Sequence, residues 1–414
     1  MTNGMQKEKI ILYGAGGMAE MLFDCDDWKE YYQVVSIVDS DKSRHGKMLE
    51  GIEIVSLSEA LKFKWDNIVI SARGNAYREI RNTLDSAGIP DEKILSYFQL
   101  YHCTKFRDDK LVSDKKKTGL VIIFNHRYEK NLSKLRRIYG SRFSEIRFLM
   151  PFYLGEEQDV IPVYDTSYYF QGFIAQAYAR IMEMDAEYFL FIADDLIIHP
   201  DIDEWNAAQK LGLLNEKEVF YPWLSELNQR GRFEWAHTKW SSQPFTTRGM
   251  AWRSELPPRD DAFALFKEFM GNEYPREYND EFFQGCASPE EEKELFLKSN
   301  GGTREVPYPM AKGYADIFAV KKTALGKVSH MFGVFAAMNM FVEIAVPTAI
   351  VLTVKKCNIS FAGCSEFIDE MILWEENDKL KIESEYGNDI NNLINRFPAE
   401  CLCIHPVKLS RWHI

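Results

Sequence analysis

Adjacent aspartates occur at four places, Asp26–Asp27, Asp108–Asp109, Asp194–Asp195 and Asp260–Asp261, and their surroundings separate them. Only Asp194–Asp195 closes an apolar run. Tyr188 to Ile192 has the composition of a buried strand, the acids follow after Ala193, and apolar residues resume from Leu196 to Ile198. Carboxylates at a turn or strand end inside a core are stable as anions only beside a cation. With no Lys or Arg adjoining them in sequence, they suit a hard divalent ion such as Mn2+ or Mg2+. A turn with capping carboxylates is the structural alternative. Asp26–Asp27 follows a helical pattern in a polar stretch, Asp108–Asp109 lies in a charged linker, and Asp260–Asp261 precedes an amphipathic run in the manner of a helix N-cap.

Two further acids have chemical potential. Glu343 lies four residues after Asn339 in an otherwise apolar segment, so a helix there presents both on one face. A carboxyl in that setting has a raised pKa and suits a general base acting on a hydroxyl. Asp316 is the rival base, and a Glu343 satisfied by Arg or backbone is the alternative. Cys401, Cys403 and His405 alternate on one strand face but lack a fourth zinc ligand nearby. Trp223, Trp235, Trp240 and Trp252 are four of the nine tryptophans, suited either to stacking on sugar faces or to a core.

The elements that must hold these residues follow from periodicity. A strand from Lys9 to Tyr13 runs into Gly14-Ala15-Gly16-Gly17-Met18-Ala19 and a helical pattern, which fits G-x-G-x-x-G/A. There Gly14, Gly16 and Gly17 let the backbone approach a phosphate at a helix start. A strand from Val34 to Val38 ends in Asp39, placed to bind ribose hydroxyls, and a third runs from Asn67 to Ser71 before Arg73. This predicts a Rossmann-like nucleotide-binding domain over 1–104, then a polar linker over 105–117. From 118 to 414 the pattern starts again: strand Leu120–Phe124, helix Glu129–Tyr139, strand Ile146–Met150, a helix over Phe170 to Ile181, and the strand before Asp194. The fold class is therefore α/β, with a largely parallel sheet whose ligand site lies at the carboxyl ends of its strands. Asn125, His126 and Arg127 follow the first strand and face the same crevice as Asp194–Asp195, unless they form an ordinary polar loop.

Composition limits the function classes. The chain has 414 residues, 46% of them hydrophobic, enough for two or three domains with real cores. A net charge of −12 and no Lys/Arg block exclude a broad nucleic-acid footprint. Seven scattered cysteines and a polar start at Met1 to Lys9 point to a reducing cytoplasm. Phe332 to Val354 is long enough to span a bilayer, but Pro347 argues for a buried helix to Val346 and a strand from Ala349 to Val354.

Residues 8–100, with Ile37-Val-Asp-Ser-Asp-Lys, Gly46-Lys and Gly51-Ile-Glu-Ile-Val, resemble the nucleotide-sugar-binding N-terminal domain of bacterial sugar N-acetyltransferases. Met18 stands where those enzymes commonly carry a His, and no β-helix repeats follow, so the resemblance implies binding or regulation. Residues 118–414 resemble GT-A nucleotide-sugar glycosyltransferases, whose DXD motif reads here Ala193-Asp194-Asp195. That resemblance implies Mn2+ or Mg2+ at Asp194 and Asp195, completed by His405, with Lys408 on the donor diphosphate. Gly313-Tyr-Ala-Asp316 resembles the segment contacting the donor sugar. The implied partners are a nucleotide-sugar donor and a surface-glycan acceptor, with peripheral association to a membrane-bound glycan-assembly system left open. The rivals are a nucleotidyltransferase, which lacks its Gly-rich loop here, an oxidoreductase using Gly14 to Asp39, and a non-catalytic sugar-binding protein.

Overall fold

In the computed structural model, residues 7–23, 27–72, 74–90, 93–96, 116–213, 217–228, 252–284, 286, 288–361, 369–372, 376–398 and 401–413 are described. The protein is α/β and divides into two compact units: Met1–Asp114 with Gly363–Met371 and Pro398–Cys403, and Lys115–Ala362 with Ile372–Phe397 and Ile404–Ile414. Most of the expected 105–117 linker lies outside the described residues, as do Trp235 and Trp240 of the tryptophan group.

The smaller unit is built on six strands: β1 (Glu8–Tyr13), β2 (Tyr32–Val38), β3 (Met48–Leu49), β4 (Ile52–Val55), β5 (Asn67–Ile70) and β6 (Ile94–Ser96). Their order is β3-β4-β2-β1-β5-β6, parallel except for the β3–β4 pair. Helices α1 (Gly17–Phe23) and α2 (Gly74–Ser86) follow β1 and β5. The sheet is apolar on both faces: Ile10, Leu12 and Val69 feed one cluster, Ile11, Tyr13 and Ile70 the other. That is the burial of a doubly covered parallel sheet. At the β1–α1 turn Gly14 has φ +109°, and a Cβ there would lie 2.8 Å from the Ser71 carbonyl oxygen. Only glycine fits both demands.

The larger unit carries a seven-stranded sheet. It comprises β7 (Thr118–Ile123), β8 (Ile146–Pro151), β9 (Val160–Val163), β10 (Tyr188–Ala193), β12 (Val219–Tyr221), β15 (Ile317–Lys321) and β16 (Ile359–Phe361), in the order β16-β12-β15-β10-β7-β8-β9. Strands β9, β8, β7 and β10 run parallel, and β15 is antiparallel to both its neighbours. Short strands β11 (Ile197–Ile198), β13 (Leu224–Glu226), β14 (Ala311–Gly313), β17 (Asp369–Ile372) and β18 (Cys401–His405) lie outside it. Every residue of β7 and β10 is buried, as their continuous apolar runs require.

Helices α3 (Leu132–Tyr139), α4 (Gln171–Met182), α5 (Arg259–Met270), α6 (Lys322–Ala337) and α7 (Val342–Thr353) complete the frame of this unit. Asp260 and Asp261 stand in the first turn of α5, where acids favour the helix dipole; its N-cap is Pro258, not an aspartate. The segment 332–354 differs from expectation. The break falls at Asn339, which adopts φ +55° between α6 and α7, and not at Pro347. Asn tolerates that left-handed conformation, and Gln171 Nε2 donates to the next carbonyl, Met340, at 2.9 Å. Pro347 sits inside α7 and forgoes only its own N–H bond, so Ala349 to Thr353 stays helical. Asn339 and Glu343 therefore do not share a helix face. Among the described residues no helix is long and apolar enough to cross a membrane.

Gly14→Ala should destabilise the smaller unit by about 2 kcal/mol, from positive φ and the Ser71 clash together. Hydrogen exchange of the β1 and β5 amides reads this directly, and unchanged protection would contradict it.

Candidate active site

The register of three central strands gathers the acids. Ala193, the last residue of β10, pairs with Ile123 of parallel β7, and Ile192 pairs with Ile317 of antiparallel β15. The residues just beyond these partners therefore meet at one end of the sheet. From β7 come Phe124 and Asn125, from β10 Asp194 and Asp195, and from before β15 Asp316, whose carbonyl accepts from the Ala193 N–H at 2.9 Å. The C-terminal segment closes the group: the Val407 N–H donates to the Asp195 carbonyl at 2.6 Å, bringing His405 and Lys408 to the same place.

Asp195 is the centre of this arrangement. Lys408 Nζ lies 2.5 Å from its Oδ2 and His405 Nε2 lies 3.2 Å from its Oδ1. The Asp195 and His405 side chains are each 9% exposed, whereas Lys408 is 50% exposed and reaches solvent. Burial alone would raise the Asp195 carboxyl, but the bond and charge of His405, with Lys408, outweigh it and hold the group ionised well below the usual carboxylate range. His405 responds reciprocally. Burial pulls the imidazole down, yet Asp316 and Asp195 together leave it above its ordinary value. Its Nδ1 is 3.9 Å from Asp316 Oδ2.

Asp194 has a different state from its neighbour. Its Oδ1 accepts the Asn125 N–H at 3.1 Å, and the buried Asn131 side chain bonds it as well. Burial, then the Asp195 charge, push it up to about 7, so at neutral pH Asp194 is part protonated and the pair carries between one and two negative charges. Burial also raises Asp316, with His405 pulling back. Glu343 is 5% exposed, its Oε2 has no hydrogen-bond partner, and burial and then Asp316 raise it well above its ordinary value. Tyr221 is fully buried with an unpartnered hydroxyl, and its phenol is raised by burial and then by Glu343. Helix α7 is fixed against β14 by Thr348 Oγ1, which accepts the Ala311 N–H at 3.0 Å.

Of the residues singled out from sequence, Asp194, Asp195, Asp316, His405, Lys408 and Asn125 converge. Asn125 does so mainly through its backbone, since its Nδ2 stands 3.5 Å from Asp195 Oδ1. Arg127 does not join them: it pairs with Glu129 at 2.7 Å on an exposed loop, because the chain has turned outward two residues beyond Asn125. Asn131 and Tyr221 were missed, the first in a polar helix start and the second in an aromatic strand that reads simply as core. In the smaller unit Gly14 and Gly16 form the β1–α1 turn and Gly17 opens α1. Asp39 stabilises that turn: it accepts the Ala15 N–H at 2.9 Å and the Asp41 N–H at 2.8 Å, and Arg44 Nη1 stands 3.6 Å away.

The donor chemistry of Asp194, Asp195 and His405 suits Mg2+ or Mn2+. Among the described residues no group of three or more His, Cys, Asp or Glu is arranged to enclose a metal, and this includes Cys401, Cys403 and His405. Two carboxylates alone would leave most of the coordination of such an ion to groups outside the protein.

The family model described as C2185-like, N-terminal matches residues 6–95. No curated protein matches this chain. Among solved structures, the chain is similar to RSP in complex with β-NAD+ and operator DNA, at 12% identity over 43% of this chain and 60% of that one, with TM-score 0.19. It is similar to RSP in complex with β-NADH at the same identity, coverage and TM-score, over 63% of that chain. The chain thus spans less than two thirds of either. The mannosyltransferase Ktr4p from S. cerevisiae aligns at 10% identity over 61% of this chain and 70% of that one, with TM-score 0.27. At TM-scores this low none of the three informs the chemistry.

The His405 imidazole is raised in the folded protein, so its stabilising contribution is complete below about pH 6.5, its unfolded value, and is lost as pH rises through the higher folded value. The melting-temperature gap between wild type and His405→Gln should be widest at or below pH ~6 and narrow as pH rises above it. A gap independent of pH would contradict the ion pair.

Proposed function

We propose that residues 118–414 form a glycosyltransferase domain that moves a sugar from a nucleotide-diphosphate sugar to a hydroxyl of a glycan in the cytoplasm, and that 1–104 is a nucleotide or nucleotide-sugar-binding domain. The observation that carries this is the buried Asp195 carboxylate held between Lys408 and His405 at the carboxyl end of β10. In open α/β sheets that end is where ligands bind. A half-exposed ammonium beside a buried, ionised carboxylate can turn toward a diphosphate without leaving the site, and there it offsets charge on the leaving group.

The chain's own residues divide the work. Asp194 and Asp195 would hold Mg2+ or Mn2+ arriving with the donor, and His405 orients Asp195 from behind. When bound, that ion supplies charge neutralisation at the diphosphate. Asp316, at 16% exposure the more open of the two candidate bases, takes the proton of the acceptor hydroxyl. Glu343 lies deeper, and its charge state is coupled to that of Asp316. The elevated carboxyl of Asp316 makes it a stronger base than the same group in water.

Nucleotide release should be measured from a panel of nucleotide sugars, with and without Mn2+ and with candidate glycan acceptors. Wild type should release nucleotide from one donor in a metal-dependent way, and Asp195→Asn and Asp316→Asn should each lose about a hundredfold or more. Absence of release from every donor, or full activity in Asp195→Asn, would overturn the proposal.

A further inference from the structure

The larger unit holds a polar opening whose lining does not include the aspartates. It has a volume of about 470 Å³ and is lined by Glu226, Asn228, Asn272, Lys356, Phe269 and Phe361 among others. Glu226 is only 6% exposed. The side chains of Asn228 and Asn272 bond its carboxylate, yet Glu226 Oε1 and Asn228 Oδ1 are both buried with no hydrogen-bond partner. Orphaned buried acceptors are rare, because each forfeits its bonds to water without replacing them. Here two of them stand together on the wall of a cavity.

The lining limits what could satisfy them. Both orphans are acceptors, so the ligand must bring O–H or N–H donors. Lys356, whose Nζ lies 5.9 Å from the centre of the Phe269 ring, disfavours a cation, and Glu226 disfavours an anion. The Phe269 and Phe361 rings offer apolar faces beside the polar groups. A neutral molecule with adjacent hydroxyls on one side and C–H groups on the other meets all these conditions, and that is the chemistry of a pyranose ring.

We propose that this cavity is a saccharide-binding subsite in which Glu226 and Asn228 accept hydroxyl protons of a neutral sugar. Its place in the fold says which sugar. Strand β13 pairs antiparallel with β14, Glu226 opposite Ala311 and Leu224 opposite Gly313. Gly313 precedes Asp316 by three residues, and Glu226 lies two residues further along the ribbon, so five residues, at most about 17 Å of extended chain, separate its partner Ala311 from Asp316. The subsite therefore takes a residue of the acceptor glycan other than the one being extended. That assignment to the acceptor rests on the transferase reading; affinity of the cavity for a free sugar does not.

Methyl glycosides of glucose, galactose, mannose and N-acetylglucosamine, without nucleotide, should be titrated into the full chain by calorimetry and saturation-transfer NMR. At least one should bind wild type. Glu226→Gln and Asn228→Ala should each weaken it by about tenfold, with circular dichroism confirming that both variants are folded, and Asp195→Asn should bind as wild type does. No binding by any glycoside, or binding indifferent to both substitutions, overturns the subsite. Sugar binding without nucleotide release from any donor leaves the subsite standing and removes the transferase reading. Release without sugar binding does the reverse.

Discussion

A carboxylate that has left water must be compensated where it sits, and the larger unit is arranged around that requirement at Asp195. Strand β10 carries the acid into the interior on a fully apolar run, and the chain then supplies two cations from more than two hundred residues later. Withdrawing one cation from a buried pair costs about 3 kcal/mol when both partners are enclosed. The figure is smaller for Lys408, which is half exposed. The same clamp leaves Asp194 as the acid that yields: two carboxylates share one region, one is paid for in positive charge, and the other keeps its proton up to about pH 7. On the proposed transferase reading, the cations that stabilise Asp195 in the fold are those a diphosphate would meet.

The positioning of these groups follows from strand register. Antiparallel β15 inserted beside β10 sets Asp316 against Ala193, and the parallel β7–β10 pair sets Asn125 against Asp194. A slip by one residue would turn the carboxylates to the opposite face. Helix α7, bound to β14 through Thr348, brings Glu343 in from the other side. The smaller unit follows another logic: Asp39, an acid at the end of its strand, is used by the turn it adjoins, holding the Ala15 and Asp41 amides.

Much of this was legible in the sequence. The apolar runs at Leu120, Ile146 and Tyr188 named their strands because a strand covered on both faces has little room for polar residues. Asp194–Asp195 stood out because it ends such a run. What sequence could not show was long-range pairing: nothing near Asp195 announces Lys408, and Asn131 looks like any polar residue at a helix start. Pro347 misled because a proline inside a helix removes one bond and can be carried by a well-buried segment, whereas Asn339, an ordinary residue in composition, was free to take the left-handed conformation that breaks the chain. Arg127 misled for the opposite reason, since proximity in sequence to Asn125 did not survive the outward turn of the loop.

The central claim is that Asp195 is ionised and helps to hold the His405 imidazole above its ordinary value. An NMR titration of the His405 imidazole tests it directly. In wild type it should titrate above about 6.5, the value of a free histidine, and in Asp195→Asn it should move down, because burial then acts with less opposition. A His405 that titrates at or below the ordinary value in both proteins would contradict the account.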